Sequence, residues 1–300
     1  MVNPGAQDFD TGLHAFIAEH LPGTQLERVT RLTGGVSADV YKLDLNVDVG
    51  LPAAAVLRIH GATHSGHDAA VEFQLLQSAQ AAGLPVAAPI AHDPAGTTLG
   101  RPCLLIAYVD GSTSIPHAEM PGRLDQMADL ISSVHATPID GFPLLQERID
   151  PLPDLFSLLQ DPALESEWRQ RLSHLGSTRF TGTPVLLHGD LWPENLIWSQ
   201  GRIAALLDWE DAAIGDPLSD VACTCLELRY VFGREGLEAF KAAYARRNRV
   251  DEARLTLWLA YVAAGALRFM GDWNLPAARE ARMRAEATAT LDEAAASLTA

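Results

Sequence analysis

The chain has 300 residues, 48% of them hydrophobic and 20% charged, with a formal net charge of −16. That length suits one large domain or two lobes with a substantial core, and the acidic balance argues against nucleic acid, whose phosphates are met by Lys/Arg clusters. No apolar run reaches the ~18 residues of a membrane span, the polar start Met1–Asp8 lacks the regions of a signal peptide, and Cys103, Cys223 and Cys225 lack metal-type spacing, so free thiols in a reducing, cytoplasmic compartment are expected.

Residues 10–20 read as a short leading helix. Leu26 to Leu32 reads as a strand and Val40-Tyr41-Lys42-Leu43 as its partner, with Thr33-Gly34-Gly35-Val36-Ser37-Ala38-Asp39 between them. Glycine permits positive φ and close approach, so such a turn can lay backbone amides over phosphate oxygens; alone it is also an ordinary hairpin turn. Ala54 to Ile59 is a short apolar strand carrying one charge, Arg58, and a helix from about His67 to Ala82 contains Glu72. Gly83-Leu84-Pro85-Val86 closes that helix, Pro89 to His92 resumes as a strand, and Pro102 to Gly111 is an apolar strand running into a turn.

Beyond Gly111 the pattern turns helical. Leu124, Met127, Leu130, Ile131 and Val134 make one buried stripe, and His135 at its end reads as a capping or core histidine. Leu155 to Leu175 holds further helices broken by prolines. Asp216 is an N-cap with Pro217 at the first helical position, opening a helix through Leu228. Trp258 to Met270 is apolar nearly all round, hence buried, and the Ala-rich tail from Ala277 has good helix propensity. Lys241, Arg246, Arg247 and Arg249 read as a solvated face.

The most informative run is His188-Gly189-Asp190-Leu191-Trp192-Pro193-Glu194-Asn195, followed by Leu207-Asp208-Trp209-Glu210. The stretch between them reads as a β-hairpin: Leu196 to Trp198 as one arm, Ser199-Gln200-Gly201-Arg202 as the turn, Ile203 to Leu207 as the other. A tight hairpin makes its open ends, Asn195 and Asp208, neighbours, with Asp190 on the preceding loop. Hard cations such as Mg2+ take oxygen ligands and share them with substrate phosphates. Phosphoryl transfer asks for that metal site plus a carboxylate that orients the attacking hydroxyl and accepts its proton.

At these residues the chain resembles the aminoglycoside phosphotransferase and choline kinase superfamily, which shares the protein kinase-like fold. His188-Gly189-Asp190 and Asp208-Trp209-Glu210 look like the small-molecule versions of the kinase catalytic and metal-binding loops, and Gly215-Asp216-Pro217-Leu218-Ser219-Asp220 is similar to the segment that ends the metal loop. The resemblance implies an α+β fold in two lobes: residues 1–110 as a nucleotide-binding lobe, with a small antiparallel sheet and one main helix, and 111–300 as a mostly helical catalytic and acceptor-binding lobe. It implies Asp190 as the catalytic base, Asn195 and Asp208 as Mg2+ ligands, and Asp220 as a support of the catalytic loop. Gly34, Gly35 and Ser37 become phosphate-loop residues, although Ala38 follows Ser37 where the family often carries Asn. Arg58 and Glu72 look like the cation that holds the phosphates and the helix carboxylate that holds the cation, with Arg replacing the usual Lys. Ile106, behind the base, with Ala107 and Val109 offering main-chain hydrogen bonds, resembles the hinge at the adenine edge.

The expected activity is transfer of the γ-phosphate of ATP, with GTP also open as donor, to a hydroxyl of a small molecule. Only seven residues separate Asp208 from Asp216, too few for the segment on which protein kinases dock peptides, so no protein substrate is expected. Eight acids against one base between His188 and Glu227 favour an amine-bearing, aminoglycoside-like acceptor, with Glu194, Glu210, Asp211 and Glu227 as candidates to line its cleft. The alternatives are a neutral acceptor such as a macrolide, sugar or homoserine, and a nucleotide-binding pseudokinase scaffold. The scaffold reading would expect a lost catalytic carboxylate or metal ligand, and Asp190, Asn195 and Asp208 are all present.

Overall fold

The computed structural model describes residues 4–32, 38–46, 52–61, 64, 66–175 and 177–298. In chain order its elements are α1 (Pro4–His20), β1 (Gln25–Arg31), β2 (Ala38–Asn46), β3 (Ala54–His60), α2 (Ala69–Ala81), β4 (Pro89–Asp93), β5 (Cys103–Ala107), α3 (Met120–Ala136), β6 (Gln146–Arg148), α4 (Leu152–Leu158), α5 (Pro162–Arg171), β7 (Val185–Leu187), β8 (Leu196–Ser199), β9 (Arg202–Leu206), β10 (Ala213–Gly215), α6 (Pro217–Ala245), α7 (Glu252–Phe269) and α8 (Ala277–Ser297). The class is α+β. Two compact units divide the chain: Met1–Gly111 with Gly141–Pro143 and Ala204–Glu210, and Ser112–Asp140 with Leu144–Ile203 and Asp211–Ala300.

The first unit is built on an antiparallel sheet ordered β1-β2-β3-β5-β4. Side chains alternate between the faces of a strand, and β3 shows what that does. Ala55, Leu57 and Ile59 enter a core with Leu13, Phe16 and Ile17 of α1 and Leu43, Leu45 and Leu105 of the sheet. Each fully buried Leu, Ile or Phe there contributes roughly 1.5–3 kcal/mol. Arg58 and His60 occupy the alternate positions, and both meet Glu72 of α2. Helix α2 starts where it does because the Asp68 carboxylate caps it, accepting from the backbone N–H groups of Ala70 and Val71.

The second unit is mostly helical. Trp168 of α5, Leu226 and Tyr230 of α6, Leu257 and Ala260 of α7, and Met283 and Leu291 of α8 share one buried core. A three-stranded sheet, β6-β10-β7, delivers the His188–Asn195 loop from the end of β7. Hairpin β8–β9 turns on Gln200 (φ 49°) and Gly201 (φ 80°), two successive left-handed residues that match the twist of the strands.

Two expectations change. Helix α6 does not stop near Leu228 but runs to Ala245 through a kink at Gly233, whose φ is 68°. Three of the four basic residues at its end are paired rather than merely solvated: Arg247 bonds Asp125 and Asp129 of α3, Arg246 bonds Asp125, and Lys241 lies 2.9 Å from Glu252.

Candidate active site

In the first unit the chemistry gathers on Arg58. The Arg58 Nη1 donates to Glu72 Oε1, while Nη2 donates to Asp208 Oδ1 at 2.7 Å and to Glu210 Oε2 at 3.3 Å. Burial works against the guanidinium charge, but the three carboxylates outweigh it and hold that charge more firmly than usual. Burial also penalises the Glu72 charge, and Arg58 outweighs it, so this carboxyl lies below its ordinary range. Both side chains are nearly inaccessible. A buried charge of this kind survives only when paired on every side.

Around this set lies a second layer. His60 Nε2 sits 3.3 Å from Glu72 Oε2, the oxygen that Arg58 Nη1 does not use. The His60 ring stacks on His64 at 3.9 Å, and His64 Nδ1 lies 3.5 Å from Glu210. Asp208 itself sits at φ 61°, a left-handed conformation that an aspartate tolerates better than most residues. The segment after it is held by Trp209, buried and donating Nε1–H to the Leu206 carbonyl at 3.2 Å, and by the His67 N–H on the Glu210 carbonyl at 3.1 Å. Gly66 is needed there, because a Cβ would stand 2.8 Å from the Glu210 carbonyl oxygen.

Ile106 is buried on β5. The Ala107 N–H donates to the Ala88 carbonyl at 2.8 Å, so a donor toward a base edge would have to come from Val109, which lies beyond the strand. Gly34, Gly35 and Ser37 lie outside the described residues.

In the second unit the His188–Asn195 loop is fixed from behind. Asp220 accepts the backbone N–H groups of His188 and Gly189, each at 2.8 Å, and His135 Nε2 lies 3.2 Å from the same carboxylate. His135 is held in turn by the Tyr244 hydroxyl, 3.0 Å from Nδ1. Asp220 is completely buried; burial penalises its charge, yet the His135 contact and the backbone donors outweigh this and depress its pKa. Gly189 has φ 89°, and a Cβ there would lie 2.2 Å from the Asp211 carbonyl oxygen, so only glycine fits. The His188 ring accepts the Asp190 N–H at Nδ1, 3.2 Å away. Asn195 closes the loop, its Nδ2 donating at 2.9 Å both to the Asp190 carbonyl and to Asp190 Oδ2.

The structure thus brings Arg58, Glu72 and Asp208 together in one unit and Asp190 with Asn195 in the other. His60 and Glu210 join the Arg58 set without having been read as part of it. For His60 a signal existed: it stands two residues after Arg58, on the same face of β3. Glu194, expected to line an acceptor cleft, instead pairs with Arg279 at 3.2 Å, and Arg279 also lies over the Trp192 ring.

Each unit offers an oxygen donor of the kind a hard cation takes. With its Nδ2 committed to Asp190, Asn195 keeps its amide oxygen as the donor it can offer a cation. Asp208 keeps a carboxylate oxygen besides the one on Arg58, and its side chain remains a third exposed. Among the described residues no three His, Cys, Asp or Glu side chains cage a metal alone. A hard ion would therefore complete its shell with phosphate oxygens and water, as Mg2+ does.

Comparisons with known proteins bear on the fold and the family. A mouse protein, acyl-CoA dehydrogenase family member 10, is 28% identical over 183 residues, covering 54% of this chain and 17% of that protein. Viomycin phosphotransferase of Streptomyces vinaceus is 33% identical over 78 residues, 23% of this chain and 25% of that enzyme. The chain therefore matches only a quarter or less of the length of these curated relatives. Among solved structures, a thermostable mutant of aminoglycoside phosphotransferase APH(4)-Ia, in ternary complex with AMP-PNP and hygromycin B, superposes with a TM-score of 0.62 at 17% identity, over 93% of this chain and 98% of that one. The fold is the kinase-like fold of the aminoglycoside phosphotransferases. The model of the phosphotransferase enzyme family (APH) matches residues 28–258, and the chain belongs to that family.

Proposed function

We propose that the protein is a small-molecule kinase that moves the γ-phosphate of ATP to a hydroxyl of an amine-bearing acceptor. The observation that carries this reading is the catalytic loop. One carboxylate, Asp190, is steered by the Asn195 amide, on a backbone that Asp220 grips from behind. Such rigidity suits a group that must meet a hydroxyl proton at hydrogen-bond distance.

Residues 1–110 form the nucleotide lobe in this reading and 111–300 the catalytic and acceptor lobe. Arg58, positioned by Glu72, neutralises phosphate charge, and its planar fork suits phosphate oxygens as well as carboxylates. Asn195 and Asp208 hold Mg2+, which when bound offsets the charge on the transferring phosphoryl group. Asp190 orients the acceptor hydroxyl and takes its proton as the oxygen attacks phosphorus. Ile106, Ala107 and Val109 meet the base, and Gly34, Gly35 and Ser37 cover the phosphates. The cytoplasm supplies the nucleotide.

The AMP-PNP and hygromycin B bound by the solved relative support a nucleotide donor and an amino-sugar acceptor. The test is nucleotide consumption with Mg2+ across aminoglycosides, macrolides, choline, homoserine and simple sugars, using ATP and GTP. Wild type should phosphorylate at least one acceptor. Asp190→Asn should keep nucleotide affinity while turnover falls about 100-fold or more, the scale of general-base contributions. No consumption with any acceptor, or an Asp190→Asn enzyme within a few-fold of wild type, would overturn the assignment.

A further inference from the structure

A buried polar side chain is costly unless it is paired, and His60 is buried in the middle of a charged set. It stands two residues after Arg58 on β3, so both side chains leave the same face of the sheet. Its backbone is fixed at both polar groups: the N–H donates to the Pro102 carbonyl at 2.9 Å, and the carbonyl accepts from Arg101 Nη1 at 3.4 Å. The ring is fixed as well. It stacks on His64, which is tethered in turn by Nε2, 2.7 Å from the His67 carbonyl. Held this way, His60 presents Nε2 to Glu72 Oε2 at 3.3 Å.

Glu72 divides its oxygens between two partners, Oε1 for Arg58 and Oε2 for His60. The last torsion of a glutamate is broad, so a carboxylate gripped at one oxygen can still turn and carry its partner with it. A grip on the other oxygen removes that freedom. The consequence reaches Arg58, whose guanidinium is drawn at both ends. Nη1 donates to Glu72, and Nη2 is shared by Asp208 and Glu210. The Glu72 side chain is 1% exposed, against 16% for Glu210 and 34% for Asp208. A phosphate arriving from solvent therefore reaches Nη2, and the Nη1 end must stay in place while the other end exchanges partners.

We infer that His60 is a positioning residue for the nucleotide phosphates: it fixes the plane of the Glu72 carboxylate, which anchors the Nη1 end of Arg58 and leaves the Nη2 end to exchange carboxylate for phosphate oxygens. The inference rests on the reading of Arg58 as the cation that meets those phosphates. Its action needs only a hydrogen on Nε2, which a neutral imidazole supplies. An amide in the same place should serve, and an apolar ring should not.

Calorimetric titration of the full chain with AMP-PNP, ADP and adenosine, in Mg2+ and without acceptor, tests it. His60→Phe keeps a ring against His64 and removes the donor, whereas His60→Gln places an amide nitrogen near the position of Nε2. His60→Phe should bind AMP-PNP and ADP roughly 10-fold more weakly, the lower end of a hydrogen bond to a charged group, and should bind adenosine as wild type does. His60→Gln should recover most of the loss. In a Glu72→Gln background His60→Phe should add less than about 2-fold, because both changes break one contact. In steady state the KM for ATP should rise with the binding loss while the KM for the best acceptor stays at its wild-type value. The inference is overturned if His60→Phe binds AMP-PNP and ADP as wild type does, if adenosine is lost in parallel, if His60→Gln recovers nothing, or if the losses of His60→Phe and Glu72→Gln simply add. A wild type that binds neither AMP-PNP nor ADP would overturn the kinase reading and this inference with it. Nucleotide binding and phosphate transfer that are indifferent to His60 would overturn the inference alone.

Discussion

Asp220→Asn is the most exacting probe of the His188–Asn195 loop. The wild-type carboxylate serves three donors: the N–H groups of His188 and Gly189 at 2.8 Å each and His135 at 3.2 Å. Hydrogen bonds to a charged group contribute about 1.5–3 kcal/mol apiece. Asparagine keeps one carbonyl oxygen, so at least one of these bonds is lost. Its NH2 group also faces a backbone N–H that then has no acceptor, at a cost of about 1–3 kcal/mol. Together these give a destabilisation of roughly 3–5 kcal/mol, the scale seen when one partner of a buried charge pair is removed. Equilibrium denaturation followed by tryptophan fluorescence is a suitable assay, because Trp168, Trp192, Trp198, Trp258 and Trp273 all lie in the same unit as Asp220. The midpoint should fall without a change in slope. Turnover should fall as well, since the Asp190 backbone hangs from His188, while nucleotide affinity stays near wild type. A loss below about 1 kcal/mol, with normal turnover, would show that the loop is held by something other than Asp220.

The remaining predictions address single contacts. Arg58→Ala leaves Glu72 buried with only His60 against it, so nucleotide affinity and stability should both fall, whereas Arg58→Lys should keep measurable activity; a harmless Arg58→Ala in nucleotide titration would place the phosphate clamp elsewhere. Gly189→Ala forces a Cβ toward the Asp211 carbonyl at a positive φ and should cost about 2 kcal/mol or more by thermal unfolding, against no change if the loop has room. Burial penalises the Asp93 charge, but donors from Thr98 and Thr97 outweigh it and set its pKa at about 2, against an ordinary value of 3.8. Its advantage over Asp93→Asn should therefore be full above about pH 4 and fade as pH falls toward about 2, and a pH-independent difference would exclude the carboxylate as its source.

What could be read in the chain was what local chemistry dictates. Asp216-Pro217 announces a helix start, and Ser199-Gln200-Gly201-Arg202 announces a hairpin, because both signals depend on backbone preferences of adjacent residues. The spacing of Asp190 and Asn195 belongs to one loop, and the Asn195 amide does bond Asp190. Long-range pairing was hidden. Nothing near Arg247 signals that Asp125 and Asp129, more than a hundred residues earlier, neutralise it. The helix opened by Asp216-Pro217 was read only through Leu228, yet α6 passes a single positive-φ residue at Gly233 and resumes. Four acids looked equivalent as acceptor-binding candidates, since sequence does not tell which of them find partners; only the packing pairs Glu194 with Arg279 and Glu210 with Arg58.

The arginine at position 58 is intelligible on the same terms. A lysine ammonium is a compact point charge, whereas a guanidinium presents a fork of donors that can address several oxygens at once. In this chain one end of the fork meets Glu72 and the other is shared between Asp208 and Glu210. Glu210 follows Asp208 by two residues on a turn that the left-handed Asp208 makes possible, and Gly66 leaves the space its backbone needs. With His60 against Glu72 and His64 near Glu210, two of the three carboxylates flanking Arg58 are braced from outside. A single point charge could satisfy Glu72 or the Asp208–Glu210 pair but would leave the other acids less well compensated. The arginine and Glu210 are thus parts of one arrangement, in which the group proposed to hold phosphate also steadies the carboxylate proposed to hold the metal. Replacing Glu210 with Gln should loosen Arg58 without touching either ligand of the proposed ion.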